Sequence, residues 1–462
     1  MFNLILGFLL FNSSMFSVPS SQFSEPRTEN QEPITTNRSG PEPVDARIFE
    51  FKLKNGLEVI GYIDSSAPVV SVNVYYRVGS YDEQPGYTGI SHMLEHMTFK
   101  HTDIYKPGDF DRILDSVGAF NNGFTSTYYT GYYEEIARDR WELALKLEAA
   151  RMARCIFPDS EFESEHQVVA EERRLQDNRP TSALWEQFEA VAYLAHPHRN
   201  PTIGWPKDVA NFKVEQVREW YKKYYNPANA VLVIAGDIRP DYVKSAVNRH
   251  FGKLKGKPVN RNDYYSIEPE PAGERRFTLY KRVSVPSLLL GFPTPGIRDS
   301  LYIIGDVVAS ILGSGRNSRL YKTLIIDSAL ATSVSVWNSV EKDPGLMYFM
   351  ITPKSETLIP RIEQIVYQEL TRMKTEPVTE KELNRVKNQT IAGYIFERDD
   401  VSGIAYLFAT AHITAGNWRA FLKQMEKIET ATPEQIQDFC RKYLTEKRRI
   451  VGILLPENQG AR

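Results

Sequence analysis

Two histidines, His92 and His96, stand four residues apart with Glu95 beside the second, in the run GYTGISHMLEHMTFKHT. On a helix, side chains four apart share a face, so this spacing points two imidazoles at one place. Ile90, Met93, Leu94 and Met97 fall on one stripe, and His92, Glu95, His96 and Phe99 on a second with the same i, i+3, i+4, i+7 spacing. A helix apolar on one side and carrying His, Glu and His on another leaves little polar surface for water, and buried polar groups need partners. A bare histidine pair at this spacing is more often structural than metal-binding. The glutamate shifts the balance, because metal-assisted hydrolysis needs nitrogen ligands and a carboxylate base.

A catalytic zinc held by two histidines takes a third protein ligand and keeps a fourth position open. The chain has two cysteines, Cys155 and Cys440, far apart in sequence, which excludes a disulfide framework and a cysteine-based zinc site. Two inert buried thiols are favoured over a single disulfide. The third ligand is therefore sought among carboxylates. In ESEHQVVAEERRLQDN, Glu165, Val168, Val169 and Glu172 form one helical stripe, whereas Glu171 points away from it towards solvent. Glu172 is the candidate ligand, and Glu165, about two turns earlier, the carboxylate that would orient it. The alternative is a Glu-rich helix whose charges are all solvated. His101, His166, His196, His198, His250 and His412 lack partners at ligand spacing, and HPH at 196–198 reads as a loop.

These helices need a scaffold. In FEFKLKNGLEVIGYI, alternating apolar residues flank Asn55-Gly56, the signature of a tight β-hairpin. VVSVNVYYRVGS alternates through Val70, Val72, Val74, Tyr76 and Val78, which predicts a half-buried strand. Helical segments are expected near 92–98, 141–154 and 159–177, and AVLVIAG at 230–236 reads as another strand. An internal echo then appears. VEQVREWYKKYYNPANAVLVIAG (214–236) aligns without a gap on PEQIQDFCRKYLTEKRRIVGILL (433–455), with Glu, Gln, Lys and Tyr identical at four places. The offset, 433 minus 214, is 219 residues, close to half the chain. That is far too long for a solenoid repeat and predicts two homologous α+β domains. They would span 47–252 and 276–462, joined by a Lys-, Pro-, Gly- and Asn-rich linker over 253–275.

The 462 residues carry 56 basic and 58 acidic side chains, a formal net charge of -2 that gives no electrostatic reason to expect nucleic acid. Residues 1–21, with an apolar core from Leu4 to Phe11 and mostly small residues from Ser17 to Ser21, read as a secretory signal lacking a basic n-region. A disordered apolar tail or a misplaced start codon is the alternative. Residues 22–46 are mainly Ser, Pro, Glu, Thr and Asn, a flexible lead-in. No later stretch approaches 18 uninterrupted apolar residues, so no membrane span is expected in the mature chain.

HxxEH is the inverted zinc motif of the inverzincins, and VGSYDEQPGYTGISHMLEHMTFKHT resembles the zinc-helix block of the pitrilysin superfamily. That group includes insulin-degrading enzyme and the mitochondrial processing peptidase. In the family the third ligand follows the second histidine by about 76 positions, in a V-V-x-x-E pattern preceded by another Glu; here 172 minus 96 is 76, and EHQVVAEE carries the pattern. NNGFTSTYYTGYY (121–133) resembles the family's substrate-pairing edge strand, and HPHRNPTIGW (196–205) a further family loop.

The resemblance covers about residue 47 to the C-terminus. It implies two α/β sandwich domains, each a mostly antiparallel sheet with helices on one face, forming half of a clamshell. It further implies one zinc on His92, His96 and Glu172, Glu95 as general base towards a zinc-bound water, and Asn122, Gly123 and Phe124 along a peptide substrate. For Asn122 and Phe124 the alternative is an ordinary strand packed on the helix. A non-catalytic scaffold subunit is the rival function, and the signal-like segment suggests export, to the periplasm if the source is a Gram-negative bacterium. The second half departs from the family. Where active members carry an Arg and, seven residues later, a Tyr that reach the substrate, this chain has Ile325 and Thr332, with Arg319 and Tyr321 out of register. The expected partner is a zinc-less homologue supplying that pair in a heterodimer; a homodimer working without it is the alternative.

Overall fold

The computed structural model of the chain describes residues 44–261, 267–396 and 400–457. The signal-like segment, most of the lead-in and the middle of the linker lie outside the described residues.

Strands β1 (Ile48–Lys52), β2 (Glu58–Ile63), β3 (Val69–Tyr76), β4 (Phe120–Thr125), β5 (Thr130–Ala137) and β6 (Ala230–Gly236) make a six-stranded sheet. Its order is β1-β2-β6-β3-β5-β4, with β2 and β6 parallel and every other pair antiparallel. The hairpin read from Asn55-Gly56 forms, with Gly56 at φ 96°. Helices α1 (Ile90–Thr98), α2 (Trp141–Arg154), α3 (Asp159–Asp177), α4 (Pro180–Ala192) and α5 (Val214–Tyr224) belong to the same half.

Strands β7 (Arg275–Lys281), β8 (Ser287–Thr294), β9 (Ala331–Asn338), β10 (Gly345–Pro353) and β11 (Ile450–Pro456) make a five-stranded sheet in the order β7-β11-β8-β10-β9. Here β7 and β11 are the parallel pair. Place for place this repeats β2-β6-β3-β5-β4. The internal echo is thus a repeat of topology. In each half an eleven-residue amphipathic helix, α5 or its counterpart Pro433–Tyr443, leads through a short 3-10 turn into the parallel strand.

The strand β3 differs from its half-buried expectation. Val70, Val72, Val74 and Tyr76 do face the core of their own half, but Ser71, Asn73 and Tyr75 on the other side are buried too. The cover comes from the second half. Helix α6 (Val401–Thr414) lies across β3 and β6, placing Ile404, Ala405, Phe408 and Ala409 against Ile60, Tyr62, Tyr75, Val231 and Val233. The first half returns the contact through α4, which lies on β11 and β7. Phe188 of α4 rests over Gly291 and Gly452, where an added Cβ would come within 2.7 Å and 3.0 Å of its ring. Each domain thus packs its own helices on one face of its sheet and receives a helix from the other domain on the opposite face. Burying one such phenylalanine contributes about 1.5–3 kcal/mol, so the exchange ties the two halves firmly. Cys155 and Cys440, one in each half, are buried free thiols, and burial pushes both up to about 12.

Candidate metal centre

Helix α1 starts from a tightly built turn. Gly89 sits at φ 93° and Gly204 at φ 90°, conformations open to glycine at little cost. The two backbones press together: a Cβ on Gly204 would meet the Thr88 carbonyl oxygen at 2.1 Å, and one on Gly89 the Ile203 carbonyl oxygen at 2.3 Å. Asp208 accepts hydrogen bonds from the Gly86 and Thr88 amides at 3.1 and 3.3 Å and from the Thr88 hydroxyl at 2.6 Å. The segment 196–208 therefore underpins the approach to α1.

From that base α1 passes beneath β4 and meets α3. His92, His96 and Glu172 come together there, their ligand atoms all within 4.8 Å of one another. Glu172 Oε2 lies 3.4 Å from His96 Nε2 and 3.9 Å from His92 Nε2. Ligands at about 2.0–2.2 Å in a tetrahedral arrangement stand roughly 3.4 Å apart, so this set fits a zinc ion. Among the described residues, His92 Nδ1 is buried without a hydrogen-bond partner. Glu171 turns outward and pairs with Arg174.

Glu165 is not the orienter of Glu172 that its place on the stripe implied. Its Oε1 meets His96 Nδ1 at 2.9 Å, and its Oε2 takes the Lys100 ammonium at 2.6 Å. Both glutamates leave α3 on the side facing α1, and His96 is what Glu165 finds there. A carboxylate on the remote nitrogen of a histidine fixes its tautomer and ring orientation, leaving Nε2 for a cation. Lys100, one turn beyond His96, carries no signal in the sequence, because a lysine near a helix end usually reads as a solvated charge.

Charge in this site calls for a cation. Burial disfavours a proton on His96, but hydrogen bonds to Glu165 and Glu172 outweigh it and raise the imidazole to about 10. Burial, with the neighbouring His96 adding to it, drives His92 down to about 3. Burial also pushes Glu165 up, yet the hydrogen bonds from His96 and Lys100 prevail and hold it below the usual carboxylate range. Two carboxylates thus gather on one imidazole, a donor set that a divalent cation would complete. Glu95, 8% exposed, accepts a hydrogen bond from the Thr125 hydroxyl of β4 at 2.6 Å, and burial raises its pKa.

Residues 59–205 match the family model Insulinase (Peptidase family M16), and residues 211–390 match Peptidase M16 inactive domain. Zinc protease PqqE of Helicobacter pylori is 31% identical over 361 residues, covering 77% of this chain and 81% of that protein. The chain belongs to peptidase family M16. The uncharacterized zinc protease YmxG of Bacillus subtilis is 25% identical, across 86% of this chain and 96% of its own. A solved protease from Helicobacter pylori has a TM-score of 0.83 at 28% identity and covers 88% of this chain and 99% of that one. The periplasmic protease PqqL from Escherichia coli shares the fold at 16% identity, with a TM-score of 0.75 over 89% of this chain and 48% of that one.

In this M16 chain, β4 is the sheet edge beside the candidate metal centre, paired among the described residues only with β5. Residues 121, 123 and 125 share the face towards α1, and Phe120, Asn122 and Phe124 the opposite one. Gly123 is small because Phe99 lies on it: an added Cβ would be 2.9 Å from that ring. Phe124 packs among Tyr75, Tyr129 and Tyr406, with ring centroids 5.8, 6.0 and 6.2 Å away. Asn122 Oδ1 accepts from the Gly123 amide at 2.8 Å. The second-half positions that depart from the family are also occupied structurally. Arg319 is held by Glu382 at 2.7 and 3.0 Å, Ile325 packs on the second core, and Thr332 lies on the edge strand β9. Among the described residues no helix is long and apolar enough to cross a membrane.

Proposed function

We propose that the chain is a zinc metalloendopeptidase that cleaves peptides or unfolded segments of polypeptide. One observation carries the reading: His92, His96 and Glu172 offer three ligand atoms within 4.8 Å of one another, with the Glu95 carboxylate on the same helix turn. His92, His96 and Glu172 would hold the ion, and Glu165 would orient His96. Zinc supplies a Lewis acid that polarises a peptide carbonyl and brings the pKa of water towards neutrality. Glu95 would take a proton on its carboxylate and return it to the departing amine, steadied by the Thr125 hydroxyl. The free edge of β4 would accept an extended chain through backbone hydrogen bonds at Asn122, Gly123 and Phe124, a mode that tolerates many sequences.

Elemental analysis and peptide cleavage on the purified chain test this. One zinc per chain and cleavage that disappears with the metal support it; a gently purified protein with no stoichiometric zinc excludes it. Zinc without cleavage, alone or with any homologue, favours the scaffold reading.

The functional unit we propose is a heterodimer with a zinc-less homologue. Its support is Ile325 and Thr332 at the places where the family carries Arg and Tyr, with Arg319 tied up by Glu382. The Escherichia coli relative, of which this chain matches 48%, has the length of two such units. Full activity of the isolated chain, with no gain on mixing, excludes the heterodimer, whereas activity restored by Ile325→Arg with Thr332→Tyr supports it. The signal-like residues 1–21 support export to the periplasm, and an intact N-terminus on protein recovered from cytosol excludes it.

A further inference from the structure

Helix α1 is nine residues long and has no side-chain cap of its own at Gly89. A carboxylate from outside the helix takes that role. Glu83, 2% exposed, accepts the Gly89 amide at 2.7 Å on Oε2 and the Ser91 amide at 2.9 Å on Oε1. The other end is held by a buried cation. Arg151 of α2, 1% exposed, donates to the Thr98 carbonyl at 3.1 Å and to Glu148 at 2.7 Å. Its guanidinium lies among the rings of Phe99, Tyr132 and Phe110, at 4.4, 4.4 and 4.9 Å from their centroids. The Thr98 hydroxyl reaches Tyr132, whose own hydroxyl meets Tyr225 at 2.7 Å.

Both oxygens of Glu83 are spent on amides at the positive end of the helix, although burial pushes its carboxyl up to about 8, and the Arg151 cation sits at the negative end. Burying a charged or polar group is costly unless it is hydrogen-bonded, so both groups are confined to the geometry that satisfies them. Two attachments at opposite ends fix the helix along its axis and about it. The direction in which His92, Glu95 and His96 point depends on both.

We propose that Glu83 and Arg151 are positioning residues of the metal centre, clamping α1 so that His92 and His96 meet Glu172 and Glu95 meets Thr125. The proposal rests on the zinc reading of those ligands. It is tested on the full chain by binding Co2+, measured by chelator competition and by its visible d–d bands, in wild type, Glu83→Gln, Glu83→Asp, Arg151→Met and Arg151→Lys. Glutamine offers only one acceptor oxygen to two amides, and methionine removes the donor to Thr98. Affinity is expected to fall about 10–100-fold in Glu83→Gln and Arg151→Met, with altered d–d bands and partial recovery in the Asp and Lys variants. Wild-type affinity and bands in folded variants, with only the thermal midpoint lowered, overturn it. Where Gln or Met yields unfolded protein, the Asp and Lys variants decide by the same bands. Failure of wild type itself to bind Co2+ or Zn2+ overturns the zinc reading, and the proposal with it.

Discussion

Phe408 and Tyr62 meet edge to face, ring centroids 5.9 Å apart, one on a helix of the second half and the other on a strand of the first. Both are among the largest fully buried side chains. The contact makes the first sheet, and through it the edge strand beside the candidate metal centre, dependent on residues far along the chain.

Truncating that contact should therefore be severe. Phe408→Ala is expected to cost about 3–5 kcal/mol, read from urea unfolding of the full chain. Residues 47–252 expressed alone would leave Ile60, Tyr62, Tyr75, Val231 and Val233 uncovered, and should aggregate. A soluble, cooperatively folding 47–252 fragment would show that α6 is dispensable.

Glu95→Gln should separate binding from chemistry. Zinc content is expected to stay at the wild-type level while turnover falls about 10²–10⁴-fold. Glu172→Gln should weaken the metal itself, and Glu165→Gln should reduce affinity or activity about 10–100-fold by freeing His96. If Glu171→Gln is damaging and Glu172→Gln harmless, the ligand assignment fails.

Metal removal should destabilise the fold, because a ligand that binds only the native state adds to its stability. Zinc at a thousand times its Kd contributes about 4 kcal/mol. Chelation should lower the thermal midpoint and zinc restore it. The His92→Ala, His96→Ala double variant should show no such response.

Gly204→Ala tests the turn that launches α1. A Cβ there would lie 2.1 Å from the Thr88 carbonyl oxygen, at a φ of 90° that other residues rarely adopt. A loss of more than about 1 kcal/mol is expected, accompanied by lower zinc occupancy because the turn holds the start of the His helix. Calorimetry with metal analysis would expose an undisturbed variant at once.

Stability should also decline as pH rises. Burial raises Glu189 to about 7 and Glu341 to about 8; Tyr348 donates to Glu189 at 2.6 Å, which draws it down only in part. A carboxyl whose folded pKa exceeds its unfolded value near 4.5 binds more protons when folded. Its contribution is complete below about 4.5 and is lost as pH climbs through 7 to 8. The thermal midpoint should fall between pH 6 and 9, and Glu341→Gln should flatten that fall.

The sequence by itself determined several elements of the first half, the duplication and most of the chemistry. Spacing alone put His92, Glu95 and His96 on one helical face and separated Glu172 from Glu171, because a helix repeats every 3.6 residues wherever it lies. The period-two runs fixed β1, β2 and β3, Asn55-Gly56 fixed a turn, and the echo at 433–455 fixed the duplication. Tertiary structure decided what each face meets. The alternation of β3 could not reveal that α6 covers its second side, since a residue's pattern records its own orientation and not its distant neighbour. For the same reason Glu165 was legible as a carboxylate aimed at the site, but its partners, His96 and Lys100, depended on how α3 crosses α1. Glu83 and Arg151 were the least legible: a lone buried charge looks like a surface charge until the chain brings to it the helix end it binds.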